Sequence, residues 1–295
     1  MTRPVLWPGL ALAAAGSIAF SGKAIIVKLA YRHGVDAVTL IMLRMAFALP
    51  LFAALAWWAG RGQARLTGRD LRVIAMLGFS GYYLASFLDF AGLQFISASL
   101  ERLILYLNPT LVLLLGMALG GPRATPRQWL ALGVSYAGVV LVFGHELSFS
   151  GEHAALGAAL VFGSAVSYAV YLVLSGREVR RLGALRLTGW ATSAACVLCL
   201  LQFALLRPLG SAFEVAQPVL WLSLLNAVAC TFAPVLMVMM AIERLGATIT
   251  AQTGMIGPLS TIAMGVLILG EPLNAWIGAG TLLVLAGVWL LARAR

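Results

Sequence analysis

The chain has 295 residues, of which 62% are apolar and only 10% charged, and it carries a formal net charge of +10. Its mean hydropathy of +0.98 lies far above that of soluble domains, which are roughly half apolar and a quarter charged. Apolar stretches of about twenty residues recur along the whole length with few charges inside them, so composition excludes a soluble protein and makes the bilayer the solvent.

Backbone groups in hydrocarbon must be satisfied internally, and these runs lack the alternation of barrel strands, so the spans are predicted to be helices. The first stretch, Trp7 to Leu29, is too long for the apolar region of a secretory leader and is read as a retained first span. Apolar runs broken by charge, Gly and Pro predict spans over 7–30, 36–59, 72–95, 98–120 and 127–144, then 154–176, 185–206, 217–240, 246–269 and 273–292. The connections are short and leave no soluble domain. Cys196, Cys199 and Cys230 fall inside apolar runs without metal spacing and are read as small buried hydrophobes.

Ten spans put both termini on one side, and the loop charges say which. On the side of the termini lie Arg3, Arg61, Arg65, Arg69, Arg72, Arg123, Arg127, Arg177, Arg180, Arg181, Arg186, Arg244, Arg293 and Arg295; the other side has only Lys28, Arg32, Arg102 and Arg207. The positive-inside rule then predicts cytoplasmic termini. The basic balance reflects topology, and no nucleic-acid partner is expected.

An offset of 149 residues aligns the chain with itself. Ile96-Ser97-Ala98-Ser99 falls on Leu245-Gly246-Ala247-Thr248, Asn108-Pro109 on Gly257-Pro258, Gly121 on Gly270, Ala137-Gly138-Val139 on Ala286-Gly287-Val288, and Gly34 on Gly183. Five spans per unit is an odd number, so the second unit starts on the opposite side of the membrane. The expected fold is an all-α membrane protein with ten transmembrane helices in two inverted five-helix repeats, residues 1–149 and 150–295, N-in and C-in. Inverted repeats are an architecture of secondary transporters, with the substrate site near the midplane between them.

Several segments carry a family likeness: Phe20-Ser21-Gly22-Lys23-Ala24-Ile25-Ile26-Val27-Lys28, Leu43-Arg44-Met45-Ala46-Phe47, Leu107-Asn108-Pro109, Ile256-Gly257-Pro258 and Leu269-Gly270-Glu271-Pro272. On these the chain resembles the drug/metabolite transporter superfamily, specifically its ten-helix EamA-like branch, over nearly its whole length. Lys28 sits on that family's recurrent lysine and the two prolines on its mid-helix prolines; Phe20-Ser21-Gly22 alters the usual aromatic-Gly-Ser order, and Lys23 stands where an uncharged residue is usual. The resemblance implies a carrier in the cell inner membrane. It does not imply the cargo, since similar proteins move amino acids, nucleobase-like metabolites, vitamins and toxic cations.

Charges at membrane depth cost about 2.5–3.5 kcal/mol on insertion scales and are functional candidates by default. Lys23, Arg44, Asp89, Glu101 and Arg102 qualify. At about 1.5 Å of rise per residue, Lys23 lies roughly 24 Å and Asp89 roughly 25 Å from the cytoplasmic ends of their spans, so all five collect in the periplasmic half of the first repeat. Together with Lys28 they are the coupling or gate candidates, either as a structural ion-pair network or as a coupling proton site, for which Asp89 is the first choice. Pro109 and Pro258 are hinge candidates, because matched interruptions point to the site in inverted repeats. Cavity-lining candidates near them are Tyr82, Tyr83, Tyr106, Asn108, Tyr168, Tyr171, Asn226 and Gln252. Trp7, Trp57, Trp58, Trp129, Trp221, Trp276 and Trp289 are read as interfacial anchors, and Gly133, Gly138, Gly278, Gly280 and Gly287 as sites of close helix packing.

His33, His145 and His153 lack metal spacing, and no nucleophile elbow, phosphate loop or carboxylate cluster is present, so neither an enzyme nor a metal or cofactor is expected. A channel would need a polar stripe through the whole bilayer, which the cytoplasmic halves of the spans lack. The expected function is secondary-active transport of small metabolites by alternating access, with export of amino-acid-like or other amphipathic cargo ahead of vitamin- or nucleoside-like uptake and of a non-transporting subunit. The expected partners are the lipid bilayer and a small-molecule substrate, with a homodimer left open.

Overall fold

The computed structural model describes residues 3–120, 123–150, 152–245, 250, 253–254 and 256–293. Among them the regular structure is entirely helical. The helices are α1 (Arg3–Tyr31), α2 (Ala37–Gly60), α3 (Gly68–Leu93), α4 (Ala98–Ala118), α5 (Pro126–Ser150), α6 (Glu152–Leu182) and α7 (Ala184–Leu206). They continue with α8, which joins Gln217–Ala227 to Ala233–Leu245 through a π turn, and with α9 (Ile256–Leu269) and α10 (Ala275–Arg293). Nine are long and apolar enough to cross a membrane, and α9 is shorter, with residues outside the described set before it. The chain is thus a multi-pass membrane protein.

The helix starts are written in short polar signals. Asp36 caps α2 by accepting from the Val38 and Thr39 amides, and Thr67 and Asp70 form a reciprocal capping box at the start of α3. Ser97 caps α4 through the Leu100 amide, and Asn274 does the same for α10 through Ile277. Each side chain satisfies an amide that the first turn leaves without a carbonyl.

The two halves share local irregularities at a common offset. The starts of α3 and α8 (Gly68, Gln217), those of α5 and α10 (Pro126, Ala275), and the π turns beginning at Phe79 and Val228 are each 149 residues apart. So are two turn glycines in left-handed backbone, Gly34 at φ 76° and Gly183 at φ 83°, a region that L side chains rarely adopt.

Packing repeats the pattern. Helix α1 lies against α8 and α9, while α6 lies against α3 and α4; α2 pairs with α7, and α5 with α10. At the α5–α10 contact a Cβ added at Gly138 would stand 2.6 Å from the Gly280 carbonyl oxygen, and one added at Gly287 would stand 2.7 Å from that of Ala131. These two contacts exchange when 149 is added to one partner and subtracted from the other. Of the glycines expected to allow close packing, Gly138, Gly280 and Gly287 do so, whereas Gly133 and Gly278 have open space around them. The tryptophans expected at the interface, Trp7, Trp57, Trp58, Trp129, Trp221, Trp276 and Trp289, are all exposed on the outside of the bundle.

Candidate functional site

A polar seam runs between α1, α4 and α9, and its lower part is built on the two proline interruptions. Pro258 has no N–H for the carbonyl four residues earlier, that of Gly254. That oxygen accepts from the Gly257 amide at 2.9 Å, three residues on, and also from Ser17 Oγ of α1 and Tyr106 Oη of α4, each at 2.7 Å. One turn on, the Gly257 carbonyl accepts from Ser21 Oγ at 2.8 Å. The absence of a side chain at Gly257 makes this approach possible, because a Cβ there would stand 2.7 Å from Tyr106 Oη and 3.0 Å from Ser17 Oγ.

Pro109 leaves the Leu105 carbonyl free in the same way. Here the chain supplies its own donor, Asn108 Nδ2 at 2.8 Å, and α4 breaks at Tyr106 and Leu107 into two short helices. The Asn108 Oδ1 oxygen is buried without a hydrogen-bond partner.

Above these carbonyls lies a layer of charge. Lys23 Nζ stands 2.5 Å from Asp89 Oδ2 and 3.2 Å from Glu101 Oε1, and Arg102 Nε stands 3.9 Å from Glu101 Oε2. Arg102 directs its hydrogen bonds elsewhere, to Thr261 Oγ1 of α9 at 3.0 Å and the Phe20 carbonyl of α1 at 3.1 Å. Asp89 is 2% exposed and Glu101 0%. Arg44, 6% exposed, comes within electrostatic range of Asp89 but has no ion-pair partner within 4 Å among the described residues. Its guanidinium lies 5.0 Å from the centroid of the Phe90 ring, and its Nε and Nη1 have no hydrogen-bond partner. Four of the five expected charges therefore form one cluster, and Arg44 stands beside it.

Lys28 does something different. Its ammonium donates to the Leu93 and Ile96 carbonyls at 3.1 and 2.9 Å, tying α1 to the C-terminal end of α3. Beside it, Glu146 accepts from the Ser97 amide and hydroxyl, and Glu271 accepts from the Ala98 and Ser99 amides and the Ser99 hydroxyl. Two carboxylates thus sit on the amino end of α4, where backbone N–H groups favour negative charge. They line a cleft of about 500 Å³ with Lys28, Tyr31 and Arg32. At the same end of the bundle, burial pushes the Asp36 carboxyl up, but hydrogen bonds from the Thr39 hydroxyl and amide, then Arg207 at 3.3 Å, together hold it below the usual carboxylate range.

The remaining expected residues are divided. Tyr82, Tyr168 and Tyr171 meet between α3 and α6, with a 3.1 Å contact between the Tyr82 and Tyr171 hydroxyls and stacking of Tyr168 on Tyr171. Gly81 provides the space, since a Cβ there would stand 2.4 Å from the Tyr171 ring. Tyr83 instead packs on Phe79 and the α2–α7 core. Asn226 is 1% exposed with its Oδ1 unpartnered, next to the π turn of α8, whereas Gln252 lies outside the described residues. Sequence reasoning passed over Ser17, Ser21, Gly254, Glu146 and Thr261; the one available signal was the four-residue spacing of Ser17 and Ser21 on an otherwise apolar helix.

A bundle of membrane helices that packs buried charge beside a helix broken before Pro109 and a second helix with Pro258 in its first turn has the organisation of a membrane transporter. The pattern of the EamA-like transporter family matches residues 7–144 and again 155–293, and the chain belongs to that family, within the drug/metabolite transporter superfamily. It is 30% identical over 270 residues to an uncharacterized transporter, YcbK, of Bacillus subtilis, covering 88% of this chain and 84% of that protein. It is 26% identical over 276 residues to an uncharacterized transporter of Archaeoglobus fulgidus, covering 92% of each. A crystal structure with 19% sequence identity superposes with a TM-score of 0.66 over 97% of both chains, which is a likeness of fold.

Proposed function

We propose that this protein is a secondary-active carrier that moves small metabolites across the cell inner membrane by alternating access, and that it works as an exporter of amino-acid-like or other small amphipathic cargo. It has ten spans in two inverted five-helix units, with both termini in the cytoplasm. The observation that carries this reading is the Gly254 carbonyl, just before α9, which Pro258 leaves without its usual helical donor and to which hydroxyls from α1 and α4 donate. A bond between the two halves breaks or forms as one half rocks against the other, and binding sites of inverted-repeat carriers lie near helix interruptions. The shared offset of π turns, turn glycines and helix starts supports the repeat.

The loop charge asymmetry supports the orientation, which puts the charged layer and the Asp36–Arg207 pair toward the periplasm. The ion pairs there join α1, α3 and α4, which suits a gate on that side. The sparsely charged remainder of the seam suits a weakly charged, amphipathic cargo better than a polyanion.

Counterflow in proteoliposomes, screened over amino acids, nucleosides, vitamins and organic cations with and without a pH gradient, tests the proposal. Exchange of at least one of these classes by the pure protein is expected. No flux of any class would remove the carrier reading in favour of a membrane subunit, and inward accumulation driven by an imposed gradient would replace export with uptake.

A further inference from the structure

Two buried carboxylates share one ammonium. Asp89 on α3 and Glu101 on α4 both lie against Lys23 Nζ, at 2.5 and 3.2 Å, which holds the two side chains in one cluster, and between two ionised carboxylates neither side has a proton to donate. Asp89 Oδ2 is engaged by Lys23 at 2.5 Å, while Asp89 Oδ1 is buried without a hydrogen-bond partner. Both oxygens of Glu101 likewise lack a hydrogen bond, although Lys23 Nζ stands 3.2 Å from Oε1 and Arg102 Nε 3.9 Å from Oε2. Three buried acceptor atoms without a hydrogen bond are an expensive arrangement if both groups are ionised, even with cations beside Glu101. A single proton placed between them converts one acceptor into a donor.

We propose that Asp89 and Glu101 form a carboxyl–carboxylate dyad that binds one proton, carried on Glu101 and donated to Asp89 Oδ1. Lys23 and Arg44 decide which member stays ionised. Asp89 holds the short bond to Lys23 and lies within the electrostatic range of Arg44, whereas Arg102 is kept 3.9 Å from Glu101 by its bonds to Thr261 and the Phe20 carbonyl. Around Glu101 the charged groups in range are Lys23 from α1, Asp89 from α3 and Arg102 on its own helix. Glu271, after α9, and Glu146, from α5, are engaged a turn away at residues 97–99.

The dyad would also report its charge to both halves of the molecule. Loss of the proton leaves a second buried negative charge beside Arg102, which draws the guanidinium toward Glu101 and away from Thr261 of α9. Resting on the carrier reading, this makes the proton the coupling ion.

The test is infrared difference spectroscopy of the full-length protein in lipid nanodiscs during a pH titration, reading the C=O stretch of protonated carboxyl groups. The proton itself is the probe, so the result does not depend on finding a cargo. The wild type is expected to show a carboxyl band appearing on acidification. The band is lost in Glu101→Gln and moves to lower pH in Asp89→Asn, where Glu101 is left as the one carboxylate beside Lys23. Carbon-13 labelling of glutamate carboxyls in the wild type should shift the same band and labelling of aspartate should not, which gives an answer even if the variants fail to fold. A band that follows the aspartate label, that survives Glu101→Gln, or that never appears in the wild type overturns the proposal. The carrier reading stands or falls separately, on the flux screen.

Discussion

The α5–α10 contact makes a prediction in which one substitution, Gly→Ala, has opposite signs at neighbouring positions of the same two helices. At Gly138 the added Cβ meets the Gly280 carbonyl oxygen at 2.6 Å, and at Gly287 it meets the Ala131 carbonyl oxygen at 2.7 Å. Ordinary contact begins near 3.4 Å, so the helices must part by about 0.8 Å at Gly138, and because the obstacle is backbone, no side chain can swing aside. Overpacking of this kind costs about 1–3 kcal/mol. At Gly133 and Gly278 the Cβ meets nothing within 4 Å, and replacing a helical Gly by Ala gains about 0.5–1 kcal/mol in backbone entropy and helix propensity. Thermal unfolding followed by tryptophan fluorescence in detergent should therefore place Gly138→Ala and Gly287→Ala below the wild type, and Gly133→Ala and Gly278→Ala at or above it. For a chain of this size each kcal/mol corresponds to roughly 2–4 °C. A common sign for all four variants would refute the packing argument, and an effect at Gly138 without one at Gly287 would refute its symmetry.

Three further outcomes follow. Removing Ser17 Oγ or Tyr106 Oη deletes one of two side-chain donors to the Gly254 carbonyl, so Ser17→Ala and Tyr106→Phe should each lower stability by about 0.5–1.5 kcal/mol, and the double variant should lose more than either in the same melt. Lys23→Met strips two buried carboxylates of their nearest cation and is expected to cost about 3–5 kcal/mol, with partial recovery when Asp89→Asn is added; equal melting of single and double variants would show that the ion pair is not what holds Lys23. Asp36 has a depressed folded-state pKa, opposed by burial but set by Thr39 and Arg207. Its contribution is therefore present above the unfolded carboxylate value and lost as pH falls through the folded one. Asp36→Asn keeps a capping acceptor and should flatten that acid limb, whereas Asp36→Ala should lose about 1 kcal/mol at neutral pH, both read by melting across a pH series.

Much of this architecture was legible in the chain. Hydropathy located α2, α7 and the start of α8 to within a residue or so, because solvent preference is a local property that each segment carries by itself. The prolines, the turn glycines and the excess of basic residues in alternate loops are local too. The grouping of Lys23, Asp89, Glu101 and Arg102 was also within reach, since depth along a helix is a count of residues.

What no count of residues supplies is rotation about each helix axis. These helices are apolar nearly all round, so they lack the polar face from which a soluble helix reveals its orientation. Only the packed bundle decides that Ser17 and Ser21 face the Gly254 and Gly257 carbonyls beside Pro258, that Tyr83 turns away from the other tyrosines, and that Arg44 lies on a phenyl ring instead of a carboxylate. The sequence by itself determined where charge is buried and where helices break. The tertiary structure decided which of those groups meet, because in hydrocarbon a polar atom takes whichever partner the neighbouring helix brings to it.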